Sequence, residues 1–318
     1  MSAVATRGRV ESPPERPRRA GGRRFRISEN VAGYLFLSPW LVGLFVIVIG
    51  PMIASLYLSF TEYNPLTSPT WIGLDNYVRM FTDDPRFIAS VKVTLIYVVV
   101  SVPLQLAFAL FLAMVLDKGL RGLSFYRSVY YLPSLLGSSV AIAILWRRVF
   151  SGDGLVNGFL GVFGIEGRSW ISEPATAVYT LVALSVWTFG APMVIFLAGL
   201  RQIPDMYYEA ASVDGAGRVR RFFSITVPLL TPVIFFNLIL QMIGAFQAFT
   251  PAFVVSDGTG GPVDSTLFYT LYLYQEGFAS FRMGYASAMA WVLFVVIALF
   301  TALNFAASKY WVFYGDER

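Results

Sequence analysis

The chain contains no cysteine and no histidine. The first absence excludes disulfides and thiolate metal sites, and the second removes imidazole as a ligand or general base. Charge is scarce as well. Only 14% of the 318 residues are Asp, Glu, Lys or Arg, against roughly 25% in a soluble domain. No Gly-x-x-x-x-Gly-Lys-Ser/Thr phosphate loop occurs, so this chain cannot itself be a P-loop ATPase. No nucleophile–base pair or metal cluster is visible, which makes an enzyme the weakest reading.

What is present is apolar. Hydrophobic residues make up 56% of the chain, and the mean hydropathy is +0.63. Six uncharged runs stand between flanking charges, at 30–61, 93–116, 128–146, 174–200, 222–256 and 283–308. Each reaches the roughly 17–25 residues that a spanning helix needs. The reading is an all-α integral membrane protein with six transmembrane helices, at about 31–60, 93–116, 128–146, 174–200, 228–252 and 283–308. Residues 30–312 form the membrane domain.

Residues 1–29 carry eight arginines among Pro and Gly, too polar to bury a core. They are expected to form a disordered cytoplasmic tail attracted to anionic headgroups. A secretory signal is the rival, but the apolar run that follows is too long for one. Six spans place both termini on one side, with 313–318 as a second short tail. The segments assigned to the inside hold 17 Lys and Arg and those assigned to the outside hold 7, so both termini are expected in the cytoplasm. The pI near 9.4 follows from this asymmetry rather than from nucleic-acid binding.

The outer connections read as organised. Residues 62–92 suggest a short interfacial helix. Residues 147–173 open on a Ser151–Gly154 turn, and residues 257–282 begin as a Gly-rich loop. Tyr269, Tyr272, Tyr274 and Phe278 then suggest an aromatic belt or a surface for a partner. Pro39, Pro51, Pro103, Pro133, Pro192, Pro232 and Pro251 fall within the spans, where proline frees a carbonyl and bends a helix.

No carboxylate or cation lies inside the six runs, which argues against a proton relay and against a deep counter-charge for the cargo. Uncharged polar groups cluster mid-chain instead: Ser134, Ser138 and Ser139, then Tyr179, Ser185, Trp187 and Thr188, then Asn237, Gln241, Gln247 and Thr250. Trp187 with Gln241 offers the aromatic face and amide that a sugar binds. The bland alternative is that such groups join helices to one another.

One polar stretch inside the chain reads as a device: Glu209-Ala210-Ala211-Ser212-Val213-Asp214-Gly215-Ala216-Gly217. It predicts a helix over Met206–Val213 behind Pro204, and a stop at Asp214-Gly215. A basic helix over Ala216–Val227 should follow, with Pro228 and Pro232 handing over to the next span. Residues 201–227 would form a docking knob between two spans.

This stretch, with Ile225-x-Val227-Pro228, resembles the "EAA" signature of binding-protein-dependent ABC importer permeases, with Val227 in place of the usual Leu. Over residues 30–312 the chain resembles the maltose-type carbohydrate branch. Ser38-Pro39, Gly73–Tyr77, Tyr126-Arg127, Leu132-Pro133, Gly260–Pro262 and Gly284–Ala288 carry that likeness. The resemblance implies a type I ABC importer permease (MetI-like) fold. It also implies that Glu209, Ala210, Ala211, Asp214, Gly215 and Ala216 couple to a cytoplasmic ATPase. Ser134, Ser138, Thr188, Gln241, Ala245 and Ala248 would fall at the sugar-contacting positions, and two of these are alanine here, which puts maltose itself in doubt.

The implied partners are a second permease, an ATPase dimer holding ATP and Mg, an extracytoplasmic binding protein, a sugar and the lipid bilayer of a bacterial or archaeal plasma membrane, and no nucleic acid. No cofactor is expected in this chain. The alternatives are a permease for a peptide, amino acid or polyol phosphate, or an ion-coupled secondary transporter.

Overall fold

The computed structural model describes residues 29–118, 122–165 and 167–313. The Arg-rich tail and the C-terminal tail expected from the sequence lie outside these residues, apart from Glu29 and Phe313. The chain divides into two units, Met1–Met52 and Ile53–Arg318.

α1 (Glu29–Gly43) passes through a π turn at Leu44–Ile49 into α2 (Gly50–Leu58), and the first unit ends within α2 at Met52. The stretch Gly33–Leu58 is long and apolar enough to cross a membrane. The Gly50 amide donates to the Phe45 carbonyl, so the helix widens one residue before Pro51. A proline ring clashes with the carbonyl four residues earlier, and a widened turn relieves that clash.

The second unit begins at Ile53 within α2 and continues into a short antiparallel pair, β1 (Thr61–Glu62) and β2 (Thr70–Trp71), and then α3 (Asp75–Thr82). The α3 helix answers to the interfacial helix expected there. The central element is α4 (Pro85–Asp117), a single helix of 33 residues. Its buried stripe runs through Thr94, Val98, Ser101, Gln105, Ala109, Ala113 and Leu116, at the spacing of one helix face. Val99, Leu104 and Phe111 on the other side are exposed. Counting uncharged residues trims this helix to 93–116, because charge marks where the bilayer ends and not where helical hydrogen bonding ends. The helix starts at the Asp84 cap, whose carboxylate accepts the Phe87 amide at 3.0 Å.

The third and fourth spans are broken. α5 (Leu123–Leu136) and α6 (Val140–Val149) meet at 95°, and α8 (Ala177–Trp187) and α9 (Gly190–Leu200) meet at 44°. Among the described residues four helices are long and apolar enough to span, or six if each bent pair is one span. Between the pairs lies α7 (Leu155–Val162). Its loop is organised by Asn157, whose amide donates to the carbonyls of Ser151, Gly152 and Arg168 and whose oxygen accepts from the Trp170 indole.

The fifth span differs most from expectation. After α10 (Asp205–Val213), no separate basic helix forms over 216–227. α11 (Arg218–Arg221), a π turn at Phe222–Thr226 and α12 (Val227–Phe246) make one continuous rod, Arg218–Phe246. The span therefore does not occupy 228–252. The same device operates here as at Pro51: Val227 donates to the Phe222 carbonyl immediately before Pro228. The rod stops at Gln247, and α13 (Thr250–Val255) is a separate short helix.

α14 (Tyr269–Tyr274) and a further π turn precede α15 (Met283–Trp311). Tyr269 and Tyr272 are buried rather than belted. The Tyr269 hydroxyl donates to the Met289 carbonyl at 2.7 Å.

Candidate functional site

The arrangement starts from Pro192. Having no N–H, it cannot donate to the carbonyl of Thr188 four residues earlier. That carbonyl instead accepts from the Ser134 hydroxyl at 2.8 Å and from the Gln105 amide at 3.2 Å. The Ser134 oxygen also accepts the Ala191 amide at 2.8 Å, at the first turn of α9. Gln105 donates a second time to the Thr188 hydroxyl, which itself donates to the Ser185 carbonyl at 2.7 Å. A broken helix thus finds its partners on α4 and α5, as buried polar groups must. The close approach requires Gly137, since a Cβ there would sit 2.0 Å from the Thr188 methyl.

These breaks enclose a cavity of about 360 Å³. It is lined from α4 by Tyr97 and Gln105, from the α5–α6 break by Ser134 and Ser138, from the α8–α9 break by Ser185 and Thr188, and from the end of α12 by Gln241, Ala245 and the Gln247–Pro251 turn. No Asp, Glu, Lys or Arg is among these lining residues. All six positions at which the resemblance puts sugar contacts, Ser134, Ser138, Thr188, Gln241, Ala245 and Ala248, line it.

Trp187 does not line the cavity. It packs against Trp146 with ring centroids 5.8 Å apart. Asn237 is buried with its amide on the Val233 carbonyl. Ser139 caps α6 through Ile142. Gln105 and Tyr97 were missed by the sequence reading. Gln105 had one available signal, since it is the only amide in the second uncharged run.

The polar lining falls into two groups. Ser134, Thr188 and Gln105 spend their hydrogen bonds inside the protein. The side chains of Ser138, Gln241 and Gln247 make no hydrogen bond with the described residues. They are among the groups free to meet a solute that offers hydroxyls, as is the Thr250 hydroxyl.

The second candidate lies at the other end of α9. α10 ends in a Schellman turn: Gly215 donates to Ser212 at 3.1 Å and Ala216 to Ala211 at 2.9 Å. Gly215 has φ +71°, a conformation that a side chain would oppose. The Arg221 guanidinium donates to the Ala216 carbonyl at 2.8 Å, and Tyr208 pairs with the Thr226 hydroxyl at 2.9 Å. Both ties hold the turn against the base of the fifth span. Glu209, Ala210, Asp214 and Gly215 are exposed, and Ala211 and Ala216 are half-buried. Met206, Ala210 and Val213 are exposed at one-face spacing, a small apolar surface beside Glu209.

A polytopic helical fold, bent at mid-span around an uncharged polar cavity and carrying a rigid loop helix, defines the class as a membrane permease. The chain belongs to the family described as "Binding-protein-dependent transport system inner membrane component", whose pattern it matches over residues 86–309. It is a permease subunit of this family rather than an enzyme.

It is 54% identical to the "Probable ABC transporter permease protein YesP" of Bacillus subtilis (strain 168), over 91% of this chain and 94% of that one. It is 34% identical to the "Lactose transport system permease protein LacF" of Rhizobium radiobacter, over 88% and 95%. To the "Arabinooligosaccharides transport system permease protein AraP" of Bacillus subtilis it is 31% identical, over 97% and 98%. Its fold matches a chain in the crystal structure of a bacterial alginate ABC transporter complexed with a pentasaccharide-bound periplasmic protein. The TM-score is 0.75 at 22% identity, covering 89% of this chain and 97% of that one.

Proposed function

We propose that this subunit passes a sugar or oligosaccharide across the plasma membrane, driven by ATP hydrolysis in a separate subunit. The observation that carries this reading is the uncharged cavity at three converging helix breaks, with Ser138, Gln241 and Gln247 unpaired in it. Hydroxyl and amide groups recognise sugar hydroxyls, and among the described residues no cation lines the cavity to hold a phosphate or carboxylate. Relatives named for lactose and arabinooligosaccharide transport support the choice of cargo. A relative named for sn-glycerol-3-phosphate keeps a polyol phosphate as the second reading, and the missing cation weighs against it.

Glu209, Ala210, Ala211, Asp214, Gly215 and Ala216 form the coupling surface for the ATPase, which holds ATP and Mg. That role places the loop and both termini in the cytoplasm. A second permease completes the translocation path, and an extracytoplasmic binding protein delivers the cargo at the opposite end. Ser134 and Thr188 shape the cavity, while Ser138 and Gln241 meet the cargo. Mass spectrometry of what co-purifies from the native membrane in mild detergent tests the assembly. A second permease and a P-loop ATPase are expected. Repeated recovery of the chain alone, with crosslinkers placed beside Glu209, would sink the reading.

A further inference from the structure

Tyr126-Arg127 was singled out in the sequence and plays no part in the cavity or the loop. α5 packs against α9 at Gly190, where a Cβ would lie 2.3 Å from the Tyr130 carbonyl oxygen. Beside that close approach the two helices leave a groove of about 400 Å³. It is lined by Arg127, Ser128 and Tyr131 of α5 and by Ala191, Val194 and Ile195 of α9. The Ser128 hydroxyl turns back on its own helix and donates to Ser124 at 3.0 Å. Arg127 is the only charged residue lining the groove among the described residues.

Arg127 forms no ion pair and no cation–π contact with the described residues. Its Nε is buried without a hydrogen-bond partner among the described residues. Asp117, at the adjoining end of α4, is already paired with Arg201 at 3.4 Å. A guanidinium offers five donors and stays charged, and an unpaired one at the edge of an apolar span attracts an anion. The complement to an apolar groove holding one such cation is an anion with a hydrocarbon tail. Phosphate suits the guanidinium fork, and basic pockets between spanning helices bind anionic headgroups.

We propose that this groove is a binding site for an anionic phospholipid, with its phosphodiester on Arg127 and an acyl chain along Val194 and Ile195. The site is separate from the cargo cavity and does not depend on which solute is carried.

The test is native mass spectrometry of the complex purified from its own membrane, delipidated, and titrated with phosphatidylglycerol or phosphatidylcholine of matched chains. Phosphatidylglycerol should be retained preferentially, and Arg127→Gln should lower its retention about fivefold while leaving phosphatidylcholine retention unchanged. Ile195→Trp, which fills the groove and keeps the cation, should also release the lipid, so the proposal survives if Arg127→Gln fails to assemble. Inorganic phosphate that displaces phosphatidylglycerol at equal concentration would show a bare phosphate site and overturn the lipid assignment. Equal retention of both lipids, or an Arg127 crosslinked to a carboxylate of another subunit with no lipid bound, would overturn it as well.

Discussion

The hydroxyl of Ser134 lies 2.8 Å from the carbonyl oxygen of Thr188, 54 residues later in the chain. This bond occupies the acceptor that Pro192 leaves open. It joins one broken span to another and sets the shape of the cavity between them.

Removing that hydroxyl leaves the Ala191 amide without its partner and the Thr188 carbonyl dependent on Gln105 alone. Ser134→Ala should therefore destabilise the protein by about 1–3 kcal/mol, the usual cost of an unsatisfied buried group. A lowered melting midpoint in detergent is the expected readout. An unchanged midpoint with impaired uptake would instead make Ser134 a cargo contact.

The Gln241 side chain makes no hydrogen bond within the described residues, so its loss costs the fold little. Gln241→Leu should keep the melting midpoint and reduce cargo uptake into proteoliposomes by about tenfold, the worth of one or two lost hydrogen bonds. Trp187→Phe alters a residue that is not part of the cavity lining and should leave uptake near the parent rate.

Gly215 sits at φ +71° in the turn that ends α10. Gly215→Asp should cost about 1–2 kcal/mol locally and tilt the exposed face of α10. Glu209→Lys reverses a charge on that face without touching the turn. Both variants should insert normally and lose transport, and uptake at the parent rate in both would remove the coupling role.

Asp84 gathers the segments at the end of the second unit remote from α10. It caps α4, and its carboxylate accepts the Tyr272 and Tyr285 hydroxyls at 2.6 Å each. Burial raises its pKa, but the two phenols and the Phe87 and Arg86 amides outweigh that, and the net shift is below the ordinary 3.8. Tyr272 is shifted upward by burial first and by Asp84 second, so it stays protonated and able to donate. Because the Asp84 value is depressed on folding, its stabilisation is complete above the ordinary carboxylate range and is lost as pH falls through the folded value. The parent should lose stability in acid below about pH 4. Asp84→Asn should start lower at neutral pH and show a smaller further loss, as read by melting midpoints from pH 7 to pH 3.

Much of this was legible from residue types alone. The spans follow from runs without charge. The α10 turn follows from Asp214-Gly215, because a left-handed residue at a helix end calls for glycine whatever surrounds it. The cavity positions Ser138 and Gln241 were found because uncharged polar groups are rare in such runs. Trp187 was misplaced because which face of a helix turns inward depends on the neighbouring helices. Gln105, although it is the only amide in its run, was missed because its partner Thr188 lies 83 residues away. The fifth span was cut short because Pro228 reads as a boundary, while a π turn just before it lets the helix pass through.

Composition, charge and local turn chemistry determined that this chain is a membrane protein with a polar loop helix closed by a glycine turn, since those properties act over a few residues, and the resemblance carried by that loop pointed to a permease. The tertiary structure decided where the spans break, which hydroxyls hold the breaks together and which remain free for cargo. Those outcomes depend on bonds such as Ser134–Thr188 and Gln105–Thr188, which form only after distant segments have packed.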